Sequence, residues 1–147
     1  MPRVMDHIVL NVVDMEAMLK FYTEVIELPS ERLEEYRRGE APFPSVRVHP
    51  DTVIDLFPKE LWAGSKPPPA EGKPNLNHLC LAYDKDDWDN LRSRLERHHI
   101  DIEEGPVKRW GAHGTGISIY FRDPERNLVE ARHYRYENHS NPCLLTT

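Results

Sequence analysis

The sequence predicts an α+β fold in which two βαβββ modules form one curved mixed sheet. Three observations carry this. A strand–helix–three-strand pattern runs from residue 5 to residue 57 and then restarts at Leu76. The two opening strands, Asp6-His7-Ile8-Val9-Leu10 and Asn77-His78-Leu79-Cys80-Leu81, are alike and lie 71 residues apart (78 − 7). At 147 residues the chain has room for two such units sharing one core, each too small to be stable alone. The expected organisation is a single domain over residues 1–136, with module one at 3–58, a linker at 59–74, module two at 75–136, and a tail at 137–147.

In the first module, residues 5–12 alternate as a strand does, with Ile8, Leu10 and Val12 on one face and His7, Val9 and Asn11 on the other. Asp14 is placed to cap a helix, with Glu16 in its first turn. Met18, Phe21, Tyr22, Val25 and Ile26 then recur at i, i+3, i+4, i+7 and i+8, giving that helix its apolar stripe, and Pro29 ends it. Three short strands are expected next, at 32–36, 45–49 and 52–57. Pro67, Pro68, Pro69 and Pro74, with Gly64 and Gly72, make the linker an extended spacer. Leu61 and Trp62 are its apolar exceptions, suited to a pocket mouth or a subunit contact.

In the second module a strand from Leu76 to Tyr83 leads to Asp84 or Asp86 as helix cap, and Trp88, Leu91 and Leu95 form the apolar stripe. Strands follow at 100–104, 116–121 and 128–134. Four of the seven glycines fall between 105 and 116, marking a loop suited to serve as a lid, with Arg109 and Trp110 on it.

Composition narrows the function. Hydrophobic residues at 39% and charged residues at 30% describe an ordinary globular chain. A net charge of −6 disfavours a nucleic-acid surface, which needs clustered Lys and Arg. No apolar run reaches the ~20 residues that span a bilayer, and the first residues lack an apolar signal region, so a cytoplasmic location is expected. Cys80 and Cys143 make no structural disulfide on this reading, and Cys80 is expected to be a small buried hydrophobe. The Asn138-His139-Ser140 acceptor pattern is a chance match.

Four residues stand out chemically. Glu130 sits inside an apolar strand, which is costly unless something charged meets it. His7 and His78 occupy equivalent strand positions, and Asp55, within Val53-Ile54-Asp55-Leu56-Phe57, takes the place in module one that Glu130 takes in module two. A single strand histidine is ordinarily a hydrogen-bonded core residue. Two at equivalent sites, with a buried acid, point instead to His7, His78 and Glu130 meeting at a divalent metal. Imidazole with carboxylate suits Zn, Ni, Fe, Mn or Co and leaves positions open for substrate or water. His49, His98, His99 and His133 have no counterpart and are read as surface or structural residues.

The paired modules, the Asp6-His7-Ile8-Val9-Leu10 opening, Asn77-His78-Leu79 and the closing Phe121-Arg-Asp-Pro-Glu-Arg-Asn-Leu-Val-Glu130 resemble the vicinal oxygen chelate superfamily, over residues 3–135. That group includes glyoxalase I, fosfomycin-resistance transferases, bleomycin-binding proteins and extradiol dioxygenases. The resemblance is nearest to small glyoxalase-domain proteins. It implies a metal held by His7, His78 and Glu130 that chelates two neighbouring oxygens of a small substrate, as a lyase or isomerase. It also implies Asp55 as fourth ligand, catalytic base or supporting group, and a homodimer.

Gly111, His113, Tyr120, Asp123-Pro124 and Glu130 also resemble the ring-cleaving extradiol dioxygenase signature. There the residues matching His113 and Tyr120 position and protonate substrate. Otherwise His113 is an exposed loop residue and Tyr120 packs in the sheet. Arg126 departs from that signature, which has Gly or Pro at its place. A resistance transferase or small-molecule binding protein is the remaining alternative, and for a phosphonate it would gather Arg109, Arg122, Arg126 and Arg132.

Overall fold

The computed structural model describes residues 5–63, 76, 78–111 and 113–134. The tail at 137–147 with Cys143, the glycosylation-like triplet and residues 64–74 of the linker lie outside them. The chain divides into two compact units, Met1–Lys73 and Pro74–Thr147.

Unit one contains β1 (His7–Asn11), α1 (Met15–Lys20), a π-helical turn (Phe21–Val25), β2 (Ser30–Glu31), α2 (Leu33–Arg37), β3 (Ser45–His49), β4 (Thr52–Phe57) and α3 (Lys59–Trp62). Its sheet has the order β1-β4-β3-β2, with β1 parallel to β4 and the remaining pairs antiparallel. Unit two contains β5 (Leu79–Tyr83), α4 (Lys85–Arg97), β6 (Glu104–Gly111), β7 (Gly114–Arg122) and β8 (Leu128–Tyr134). Its order is β5-β8-β7-β6, with the same parallel and antiparallel relations. Two four-stranded mixed sheets of matching topology, with helices, make the α+β two-module fold that the repeat predicts.

Local chemistry accounts for the elements. The Asp14 carboxylate accepts the Ala17 N–H at 3.0 Å, and that of Asp84 accepts the Asp87 N–H at 2.8 Å, each satisfying a donor left over at a helix start. Met18, Phe21, Tyr22, Val25 and Ile26 are all buried, as their spacing requires. On the other helix Trp88, Leu91 and Leu95 are buried, and the Trp88 indole N–H donates to the Ala131 carbonyl at 2.9 Å. That bond ties α4 to one face of β8, where Val129, Ala131 and His133 are buried. His133 is thereby structural, its ring edge-on to Trp88 with centroids 4.7 Å apart.

Four expectations need correction. The strand expected at 32–36 is the helix α2, preceded by Arg32 in the left-handed conformation (φ 57°). Glu34 and Glu35 in its first turn favour it there, and only Ser30–Glu31 pairs with β3. The strand expected at 100–104 begins only at Glu104. The linker opens with a helical turn, α3, and the Trp62 indole N–H donates to the Val12 carbonyl at 3.1 Å, within unit one. The glycine-rich segment is a hairpin: after a register shift between Glu104 and Val107, β6 and β7 pair continuously from Val107 opposite Ser118 to Gly111 opposite Gly114, leaving His113 at its tip. Among the described residues, no helix is long and apolar enough to cross a membrane.

Candidate functional site

Strand alternation sets the site face of unit two. Because Val129, Ala131 and His133 pack toward the helix side, Glu130, Arg132 and Tyr134 point the opposite way. Register brings Cys80 and Tyr120 beside Glu130, Ser118 opposite Arg132 and Gly116 opposite Tyr134. Cys80 is therefore exposed, not the buried hydrophobe expected, because it belongs to this polar face. The protein packed around its thiol, and next the Glu130 charge, push that thiol up to about 12, so it is no thiolate at neutral pH.

Glu130 is the centre of the face. Its side chain is 4% exposed, and its Oε2 lies 3.0 Å from Nε2 of His78, which sits just before β5. Oε1 accepts from the Ser118 hydroxyl at 2.6 Å and from Nη2 of Arg132, also at 2.6 Å. Burial pushes the Glu130 carboxyl upward, but the Ser118 and Arg132 hydrogen bonds and the Arg132 charge outweigh it, so the carboxyl lies below its ordinary value. Tyr120 is shifted the other way: burial first, then the Glu130 charge, raises its phenol. The Tyr120 and His78 rings meet edge-on at 5.9 Å.

Arg132 was not singled out as a partner for Glu130, though it stands two residues further on the same strand face. Its side chain is 4% exposed, and Nη1 donates to the Tyr134 hydroxyl at 3.3 Å and to the Arg109 carbonyl at 3.5 Å. The i, i+2 spacing of Glu130 and Arg132 was the available signal.

In unit one, Asp55 stands opposite Val9 in β1, as Glu130 stands opposite Cys80 in β5, so the two acids are equivalent in register. Asp55 is buried, and its Oδ1 accepts from the Ser45 hydroxyl at 2.6 Å. His7 lies on the same face of unit one as Asp55. Its Nδ1 is 2.6 Å from Oδ1 of Asp6, and that hydrogen bond, with a smaller contribution from the Asp55 charge, raises the imidazole above its ordinary value. A carboxylate at Nδ1 fixes the tautomer with its lone pair on Nε2, the form in which a histidine ligates a metal.

His113 is exposed at the hairpin tip. Its backbone N–H donates to the Tyr134 hydroxyl at 3.3 Å, and its ring lies edge-on to Tyr134, centroids 5.5 Å apart. The four arginines weighed for an anion pocket are paired elsewhere: Arg122 and Arg126 with Glu103, Arg109 with Glu104, Arg132 with Glu130. The Trp110 side chain lies outside the described residues. Arg126 takes φ 71°, the left-handed conformation that glycine adopts without steric cost. The Asp123 carboxylate holds the turn, accepting the Glu125 and Asn127 N–H groups at 2.9 Å each.

Among the described residues, no three His, Cys, Asp or Glu side chains form a group able to hold a metal ion. The donor chemistry of the pair in unit two nevertheless fits one. Imidazole nitrogen and carboxylate oxygen are both ligands for a divalent ion, and His78 Nε2 and Glu130 Oε2, hydrogen-bonded to each other at 3.0 Å, are close enough to share one.

The family model described as the Glyoxalase/Bleomycin resistance protein/Dioxygenase superfamily matches residues 4–131. The chain belongs to this superfamily. Relatives agree with that membership. The virulence protein STM3117 of Salmonella typhimurium is 30% identical over 129 residues, covering 88% of this chain and 83% of that protein. Its crystal structure superposes with a TM-score of 0.70, at 29% identity, over 92% of this chain and 98% of that one. A glyoxalase domain-containing protein, RDO1, from Mycosarcoma maydis is 28% identical over 146 residues, 90% of this chain and 69% of that protein. A glyoxalase/dioxygenase from Nostoc punctiforme gives a TM-score of 0.70 at 26% identity, over 91% of this chain and 92% of that one.

Proposed function

We propose that this superfamily member is a divalent-metal-dependent lyase or isomerase of glyoxalase type, acting on a small substrate with two neighbouring oxygens. The observation that carries the reading is the His78 Nε2–Glu130 Oε2 pair at 3.0 Å, built on a buried carboxylate that its surroundings keep ionised. His7, with Asp6 at its Nδ1, is the third ligand on this reading. The ion is Zn, Ni, Fe, Mn or Co, and when bound it supplies a Lewis acid beside the substrate oxygens.

The chain's own residues do the rest. Glu130 supplies negative charge and fixed geometry. Tyr120, whose raised phenol stays protonated at neutral pH and is hydrogen-bonded to Glu130, is placed to turn that donor to a substrate oxygen. Asp55 is the base: its carboxylate is held at one oxygen by Ser45, which leaves the other to accept a proton. A homodimer and a cytoplasmic location belong to the same reading; light scattering and cell fractionation test them.

A second reading, a ring-cleaving dioxygenase, rests on Tyr120. That residue lies beside Glu130 and His78, where a group that protonates a ring-opening substrate is needed, and His113 would be its partner. Protein loaded in turn with each of the five metals should be assayed against α-ketoaldehyde hemithioacetals and a catechol panel. Turnover of a hemithioacetal that collapses in Asp55→Asn supports the lyase. Full activity in Asp55→Asn sinks the base assignment, and oxygen uptake with catechols in the Fe-loaded protein replaces the first reading with the second.

A further inference from the structure

We propose that Ser118 and Arg132 are positioning residues that hold Oε1 of Glu130 out of coordination. A divalent cation on this face then meets the carboxylate through Oε2 alone, keeping neighbouring positions for both oxygens of a substrate. The inference rests on the metal-centre reading above and concerns how this chain tunes it.

The geometry is specific. A carboxylate oxygen offers two lone pairs, and on Oε1 one faces the Ser118 hydroxyl and the other the Arg132 guanidinium, each at 2.6 Å. Oε2 is the oxygen turned to His78. A glutamate can bind a metal through one oxygen or both, and a two-oxygen grip consumes a position the substrate would otherwise take. Arg132 stays protonated under all ordinary conditions, so its hold does not lapse.

The guanidinium is itself braced. Nη1 bonds the Tyr134 hydroxyl and the Arg109 carbonyl, and that same hydroxyl accepts the His113 N–H. The Tyr134 ring fits because residue 116 is glycine: a Cβ there would come within 3.3 Å of the ring and 2.8 Å of the His133 carbonyl oxygen. Gly116, Ser118, Arg132 and Tyr134 thus form one brace behind one oxygen atom.

Unit one supplies the contrast. Asp55, the register equivalent of Glu130, is held by a single serine hydroxyl, and the residue two further on is Phe57. The arginine brace is therefore a property of unit two and not of the repeated fold. It also has a cost. A fixed positive charge beside a divalent cation weakens metal binding, so the brace exchanges metal affinity for open coordination positions.

The test uses the whole protein with Co(II) as metal and acetohydroxamate as a two-oxygen probe. Wild type, Ser118→Ala, Arg132→Met and the double variant are compared by competition titration for Co(II) affinity and by the Co(II) visible spectrum. With the positive charge gone and both carboxylate oxygens free, the double variant should bind Co(II) roughly tenfold more tightly and acetohydroxamate roughly tenfold more weakly, with a spectrum shifted toward higher coordination before probe is added. Ser118→Ala keeps the ion pair, and so tests the idea even if the Arg132 variants fail to fold by circular dichroism. It should show a smaller spectral shift in the same direction.

Opposite movement of the two affinities is the signature that a merely structural role does not produce. A double variant in which both fall together, or neither changes, overturns the proposal, as does an unshifted Ser118→Ala spectrum. Equal Co(II) binding by wild type and Glu130→Gln overturns the metal-centre reading beneath it, and is distinguishable because it needs neither brace variant.

Discussion

Removing Glu130 should damage the fold as well as the site, and the size of that damage follows from Arg132. Both side chains are 4% exposed, and they share a 2.6 Å ion pair. Taking away one partner of a buried pair leaves the other charge uncompensated, at a cost of about 3–5 kcal/mol. The face around the pair is open, with Cys80 exposed and His78 partly so, which places the cost near the lower end, about 3 kcal/mol. For a chain of this size that lowers the melting temperature by roughly 6–12 °C. Glu130→Met and Arg132→Met should each show this loss in metal-free protein. The double variant buries no unpaired charge and should cost no more than either single, giving a coupling energy of about −3 kcal/mol. Urea unfolding followed by tryptophan fluorescence measures all four stabilities. Costs that add to within about 0.5 kcal/mol would refute the reasoning, because independent residues behave that way.

Three further outcomes follow from neighbouring residues. Gly116→Val should destabilise by about 2 kcal/mol or more, because its Cβ meets the His133 carbonyl oxygen at 2.8 Å; unchanged thermal unfolding would contradict this packing. Leu91→Ala, in the fully buried stripe of α4, should cost about 2–5 kcal/mol in urea unfolding while leaving metal affinity unaltered. The depressed Glu130 carboxyl contributes stability that is fully present above its ordinary value of 4.5 and is lost as pH falls through the lower folded value. Acid titration of metal-free protein should therefore show this component in wild type and lack it in Glu130→Met.

Much of the fold was legible because two periodicities were repeated. The 3.6-residue spacing of Met18, Phe21, Tyr22, Val25 and Ile26 marked a helix whose stripe is buried throughout. The twofold alternation around His7 and His78 marked equivalent strands, and register bears out the equivalence of Asp55 and Glu130. Errors came where local chemistry overrode pattern. Residues 33–37 fold as a helix because Arg32 turns the chain through a left-handed conformation, which a propensity reading does not register. The glycines between 105 and 116 suggested a loop, yet glycine also permits close strand approach, and Gly116 serves that purpose beneath Tyr134.

The site was legible as residue types more than as contacts. Glu130 was marked by the cost of a carboxylate in an apolar strand, and His78 by its repeat position. Arg132 escaped because one arginine among several carries no periodic signal. Its role is fixed only when the strand face turns it toward Glu130. Cys80 was misread because Leu79 and Leu81 beside it are buried, while alternation places Cys80 itself on the polar side.

The most direct measurement is metal content per chain after reconstitution and extensive dialysis, for wild type, His7→Ala, His78→Ala and Glu130→Gln, each shown to be folded. The account predicts close to one divalent ion per wild-type chain and a large loss in every variant. Equal occupancy in wild type and all three variants, or wild-type protein that retains none of the five metals, would contradict it.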